Sequence, residues 1–125
     1  MIETTEFQMT KIIEQFNSAF LTHDAQLLKS IIAPDCVMEG AMPPPDGSRT
    51  EGYDECYAFW EEMINTPHTQ FRPESPYIMG EKAIIQWRFY WGERLENSIR
   101  GVTLMTVKEG KISEVLAYVK GNLVS

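Results

Sequence analysis

The chain has 125 residues, of which 43% are apolar and 23% charged, with 18 acidic side chains against 11 basic ones. Such a length and composition describe one globular domain over residues 1–125, able to bury a core without disulfides or a metal. The acidic balance speaks against a nucleic-acid partner, and the longest apolar run, residues 115–119, is far too short for a membrane span.

The start, Met1-Ile2-Glu3-Thr4-Thr5-Glu6, has no export-signal pattern, so a soluble, cytoplasmic protein with reduced Cys36 and Cys56 is expected. Residues 5–23 read as a helix: Met9, Ile12, Ile13, Phe16 and Phe20 form one stripe, and Thr5 with Gln8 fits a capping box. Asp24 then caps a shorter second helix with Leu27, Leu28, Ile31 and Ile32 facing inward, stopped by Pro34. Residues 36–40 read as a strand with Cys36, Met38 and Gly40 on one face and Val37 and Glu39 on the other. The run 42–47, Met-Pro-Pro-Pro-Asp-Gly, is a stiff loop ending in a turn. A third helix follows Gly52 to about Asn65, presenting Tyr53, Tyr57, Trp60 and Ile64 on one side, and Pro67 marks its end.

Strands follow. Residues 69–79 are expected to form an edge or bulged strand, because Pro73 and Pro76 interrupt them. Residues 83–91 alternate most clearly, with Ile85, Trp87, Phe89 and Trp91 on one face and Ile84, Gln86, Arg88 and Tyr90 on the other. Residues 98–107 and 111–121 form the last two strands, joined by a two-residue turn at Glu109-Gly110. This order predicts an α+β fold, with helices packed on one face of a mixed or antiparallel sheet.

In the simplest register Gly101, Thr103, Met105, Val115, Ala117 and Val119 share the face of Ile85, Trp87, Phe89 and Trp91. The mixture of large and small side chains fits a filled core and equally a curved sheet around a cavity of roughly 300–1,000 Å³. The opposite face would expose Ile84, Tyr90, Val102, Leu104, Ile112, Leu116 and Tyr118. An apolar patch of that kind predicts a partner surface, most simply a homodimer through the outer sheet face.

Taken in order, several segments resemble the nuclear-transport-factor-2-like superfamily, in particular its SnoaL-like and ketosteroid-isomerase-like branch. They are Phe16 to Leu28 with His23-Asp24 and Leu27-Leu28, then Ala33-Pro34-Asp35-Cys36-Val37-Met38-Glu39, then Gly52 ahead of Phe59-Trp60. Gly110-Lys111-Ile112 and Ala117-Tyr118 complete the set. The resemblance spans essentially the whole chain. It implies a single SnoaL-like domain: a cone-shaped, curved mixed sheet with three helices from the N-terminal half on its concave face, a cystatin-like α+β roll. It also implies a cavity between sheet and helices, and dimerisation through the sheet, as in many members. The fold hosts isomerases, cyclases, epoxide hydrolases, dehydratases and non-catalytic binders, so it fixes no activity.

The isomerase pattern needs a carboxylate base, a tyrosine and a neutral carboxylic acid around an oxyanion. Carried over by position, the base falls on Gly40, the tyrosine on Phe16, the acid on Thr103 and a supporting tyrosine on Trp60, which leaves no proton-transferring side chain at the four places. Glu39, beside the base position, becomes the catalytic candidate if a bulge turns it inward. His23 with Asp24 reads as a polar cap and His68 as a loop residue, and the two histidines lack metal-ligand spacing, so no metal is expected. Arg88 and Arg100 face outward, in reach of Glu114 or another subunit, while Cys36 shares the face of Met38 and reads as a structural thiol. No dinucleotide or phosphate-loop fingerprint is present, and no cofactor is expected.

The sequence therefore predicts an apolar, aromatic-lined pocket for a hydrophobic small molecule. Its expected lining is Phe16, Phe20, Met38, Gly40, Trp60, Trp87, Phe89, Trp91, Thr103, Met105 and Val119, with the loop 43–47 at its entrance. Two readings follow: an isomerase, cyclase or dehydratase with an unorthodox acid–base group, or a non-catalytic binding or accessory protein.

Overall fold

A computed structural model describes residues 5–121. Helix α1 runs Glu6–Leu21, and its capping box is present: the Gln8 amide donates to Thr5 Oγ1 at 3.1 Å, and the Thr5 amide donates to Gln8 Oε1 at 2.8 Å. Its buried stripe is Met9, Ile12, Ile13, Phe16, Ala19 and Phe20, the 3.6-residue periodicity of the sequence translated into a core face. The expected second helix is instead one 3-10 turn, Ala25–Leu28, with the Gln26 amide donating to Asp24 Oδ1 at 3.1 Å. Ile31 and Ile32 are claimed by the sheet: the Ile112 amide donates to the Ile31 carbonyl at 2.7 Å, and Ile32 pairs with Ile112.

Strand β1, Ile32–Glu39, thus starts four residues before the expected 36, and its ladder shifts register between Ile32 and Val37. Pro34, which has no amide hydrogen to give, sits exposed in that irregular stretch. A short β2, Arg49–Glu51, pairs antiparallel with β1, and α2, Tyr53–Asn65, buries Cys56, Trp60 and Ile64. The prolines split the expected 69–79 strand into β3, Thr69–Pro73, and β4, Tyr77–Met79, which pair with successive halves of one edge of β5, Lys82–Trp91. Strand β6, Asn97–Lys108, and β7, Lys111–Val119, form a hairpin whose turn residues Glu109 and Gly110 both have positive φ, 52° and 78°.

The sheet order is β2-β1-β7-β6-β5-β3, antiparallel throughout except where β1 meets β7 in parallel. The sheet is curved and unclosed, and the helices cover its concave face, so the fold is α+β. One residue departs from the simple alternation. Between Thr106↔Glu114 and Val107↔Ile112 the β6–β7 ladder carries a bulge at Ser113, which reverses the facing of Ile112. Ile112 is fully buried in the core with Val107, not on the outer face where period-2 counting puts it.

Candidate functional site

The strands deliver large rings to the concave side in a fixed order. Trp87, Phe89 and Trp91 project inward from β5, with Phe71 of β3 directly opposite Phe89. From the helices, Phe16 meets Trp60 edge-on at 5.5 Å between centroids, Phe20 packs on Phe16 at 5.2 Å, and Phe71 bridges Phe20 at 5.3 Å and Trp87 at 5.8 Å. Phe89 and Trp91 stack at 6.3 Å and 26°.

These rings do not fill the space between sheet and helices. They enclose a cavity of about 640 Å³, within the range of small-molecule pockets. Its wall also takes Met38 and Gly40 from β1, Val115, Ala117 and Val119 from β7, Ile99 and Thr103 from β6, and Phe59 and Met63 from α2. Deep wall and mouth differ: Trp60 is 1% exposed, whereas Trp91, Met63 and Met42 are 39%, 37% and 61% exposed.

The position of Trp87 depends on Gly101. The two residues are direct cross-strand partners, and the indole lies against the glycine so closely that a Cβ there would meet the ring. Lying flat, the indole donates from Nε1 to Thr103 Oγ1 at 2.8 Å. The Thr103 hydroxyl oxygen is therefore an acceptor already in use, and its proton is left as a donor.

Ten of the eleven expected lining residues meet around this cavity: Phe16, Phe20, Met38, Gly40, Trp60, Trp87, Phe89, Trp91, Thr103 and Val119. Met105 does not. It shares their face of the sheet, but pairs with Ala83 and Val115 where the core is filled, and is 1% exposed. Of the proline-rich loop, Ala41 and Met42 line the mouth and residues 43–47 do not. Sequence reasoning missed Phe71, Phe59, Met63 and Ile99 in this role. Phe71 and Ile99 could have been found from their pairing with Phe89, and Met63 from its place one turn beyond Trp60.

Glu39 stays on the outer side of β1, away from the cavity. No bulge turns it inward: the ladder shift falls earlier, before Val37. Its carboxylate pairs with Arg49 Nη1 at 2.9 Å, and Arg49 Nε also donates to Glu51 at 2.7 Å. Cys36 and Cys56 are free and buried outside the cavity lining, and the Cys56 thiol donates to the Cys36 carbonyl at 3.4 Å. Burial, and then the neighbouring Cys56, push the Cys36 thiol well above the usual range; burial raises Cys56 too.

His23 Nδ1 hydrogen-bonds the Ile64 carbonyl at 2.8 Å, tying the end of α1 to α2, and His68 is exposed. Arg88 Nη1 donates to Ser98 Oγ at 2.9 Å, and the Arg72 guanidinium lies 5.4 Å from the Tyr90 ring centre. Glu114 stands six ladder positions from Arg100, roughly 20 Å along the strands, too far to pair within the protomer. Among the described residues no carboxylate, histidine, cysteine or basic side chain lines the cavity, and no three potential metal ligands cluster. No described helix is long and apolar enough to cross a membrane.

Residues 13–115 match the family model of the SnoaL-like domain. The chain belongs to that family. The SnoaL-like assignment agrees with solved structures. An NTF2-like protein of unknown function from Mesorhizobium loti is 37% identical over 97% of this chain and 98% of that one, with a TM-score of 0.89. A protein of unknown function with a cystatin-like fold from Methylobium petroleophilum (16% identity, 99% and 83% coverage, TM-score 0.82) shares the fold. So does a protein provisionally named a ketosteroid isomerase from Kribbella flavida (16% identity, 100% and 86% coverage, TM-score 0.78). No curated protein matches the sequence significantly.

Proposed function

We propose that this SnoaL-like domain binds a neutral, hydrophobic small molecule between its sheet and helices, and that binding rather than proton transfer is its task. The observation that carries the reading is the cavity of about 640 Å³ walled by aromatic and aliphatic side chains, with Thr103 supplying the one side-chain hydroxyl among its described lining residues. A charged ligand would lose its hydration there without gaining a partner, a penalty of several kcal/mol. A neutral ring system gains stacking faces from Trp87, Phe89 and Trp91, and one acceptor atom can take the Thr103 proton. Of the two readings the sequence leaves open, the non-catalytic one is favoured because the general-base candidate, Glu39, faces away from the cavity in an ion pair.

Titration with N-phenyl-1-naphthylamine, a neutral probe excited by energy transfer from tryptophan, tests the reading. Saturable one-to-one binding with a dissociation constant on the order of 10 µM is expected for a ligand of this size. Ala117→Phe, which fills the cavity from β7, should weaken it more than tenfold, and Glu39→Gln should leave it unchanged. Absence of saturable binding, or equal binding by the Ala117→Phe variant, overturns the reading.

A further inference from the structure

The mouth of the cavity differs chemically from its deep wall. Met42 and Met63 both line the opening, and both are exposed to water. A thioether is soft, polarizable and readily oxidised, so dissolved peroxide meets here a part of the wall that a bound ligand covers. The other described methionines sort by exposure. Met9, Met38 and Met105 are buried, out of reach while the protein is folded. Met79 is nearly as exposed as Met42, at 58%, but it stands at the end of β4 and does not line the cavity.

The backbone holds both mouth residues at the rim. Met42 precedes Pro43-Pro44-Pro45, whose rings fix φ and restrict the residue before each of them. The loop is tied at its base, where the Gly40 amide donates to the Ser48 carbonyl at 2.8 Å and the Gly47 amide donates to the Pro43 carbonyl at 2.7 Å. Met63 springs from α2 one turn beyond Phe59 and Trp60, which themselves belong to the wall.

Oxidation changes what this rim can do. A sulfur lone pair attacks one oxygen of hydrogen peroxide, the O–O bond breaks and an S–O bond forms. The hydroxyl proton then passes to the departing hydroxide, giving one sulfoxide and one water. Each event takes two electrons from sulfur, consumes one peroxide and turns an apolar thioether into a polar acceptor. A hydrophobic ligand that covers a sulfoxide strips its water and offers no donor in return, so binding is penalised where the reduced rim favours it.

We propose that Met42 and Met63 are modification sites through which peroxide lowers the affinity of the cavity for its ligand, a change that methionine sulfoxide reductases reverse. The proposal rests on the cavity binding a neutral hydrophobic molecule, and adds that its occupancy answers to the oxidant.

Titration of the full chain with N-phenyl-1-naphthylamine before and after limited treatment with hydrogen peroxide, together with peptide mass mapping of the added oxygen, tests it. Met42, Met63 and Met79 should each gain one oxygen while Met9, Met38 and Met105 gain none. Affinity should then fall about tenfold with unchanged far-UV circular dichroism, and reduction by the two methionine sulfoxide reductases should restore it to within about twofold. Met79→Leu should bind like the wild type and lose affinity to the same extent on oxidation. Met42→Leu with Met63→Leu, measured against its own untreated affinity, should lose less than about twofold. Affinity that survives conversion of Met42 and Met63, an equal fall in the double variant, or mouth methionines that stay unoxidised when Met79 is converted overturns the proposal and leaves the cavity reading intact. An untreated wild type that does not bind the probe overturns both.

Discussion

Replacing Gly101 by alanine probes how the cavity is held open. A Cβ at this position would lie 2.5 Å and 2.6 Å from Cη2 and Cζ2 of Trp87, and 2.6 Å from the Tyr118 carbonyl oxygen. The carbonyl belongs to the β6–β7 ladder and cannot retreat cheaply, so the indole must swing off the sheet into the cavity. Overpacking of this kind costs about 1–3 kcal/mol, and losing the 2.8 Å bond to Thr103 adds about 1 kcal/mol. At about 4 °C per kcal/mol for a domain of this size, Tm should fall by about 8–16 °C. The displaced ring also occupies ligand space, so affinity for N-phenyl-1-naphthylamine should drop more than tenfold. Trp87→Phe in the Gly101→Ala background removes the clashing ring carbons, and the pair should couple favourably by about 1–2 kcal/mol. Calorimetry and probe titration on the two single variants and the double variant read all three quantities. If Gly101→Ala shifts Tm by under about 2 °C with affinity intact, or the two substitutions are additive, the indole is not held by the glycine.

Three further expectations follow from where the structure puts particular side chains. Met105→Ala should cost about 2–5 kcal/mol, since it leaves a void in the filled core, while probe affinity stays within about twofold; a loss of affinity without a loss of stability would return Met105 to the cavity wall. Cys36 and Cys56 should resist a disulfide reagent at pH 8 until the protein unfolds, and labelling of the native protein would contradict their burial. Because their folded pKa values are raised, their contribution to stability is complete below the unfolded thiol value of about 8.5 and declines as pH rises above it. Cys36→Ala should therefore flatten the alkaline fall in Tm, and an unchanged slope refutes the linkage.

What could be read from the sequence was what local chemistry decides. The α1 stripe and its Thr5–Gln8 cap, the alternation of residues 83–91 and the turn at Glu109-Gly110 each depend on neighbours a few positions away. What escaped depended on distant partners. Leu27-Leu28-Ile31-Ile32 fits a helix or the lead into a strand equally well over so few residues, and pairing with Ile112 settles it. The bulge at Ser113 flips Ile112 without any turn-forming residue to announce it. Met105 was put on the correct face at the wrong depth, because period-2 counting tells inside from outside and nothing about where along a tapering interior the rings stop meeting. Phe71 fell inside the expected 69–79 strand, but Pro73 and Pro76 interrupt that run, so alternation alone assigned it no face until its pairing with Phe89 was known.

The parallel contact between β1 and β7 also sets a timetable. Ile32 pairs with Ile112, and the Lys111 ammonium reaches the Ser30 carbonyl at 2.9 Å, so residues some eighty positions apart are stitched side by side. Closing so long an intervening stretch is slow compared with forming the neighbouring hairpins. During synthesis the edge of β1 that pairs with β7 must therefore stay open until the ribosome has delivered the closing strand, and chaperone demand should peak in that interval.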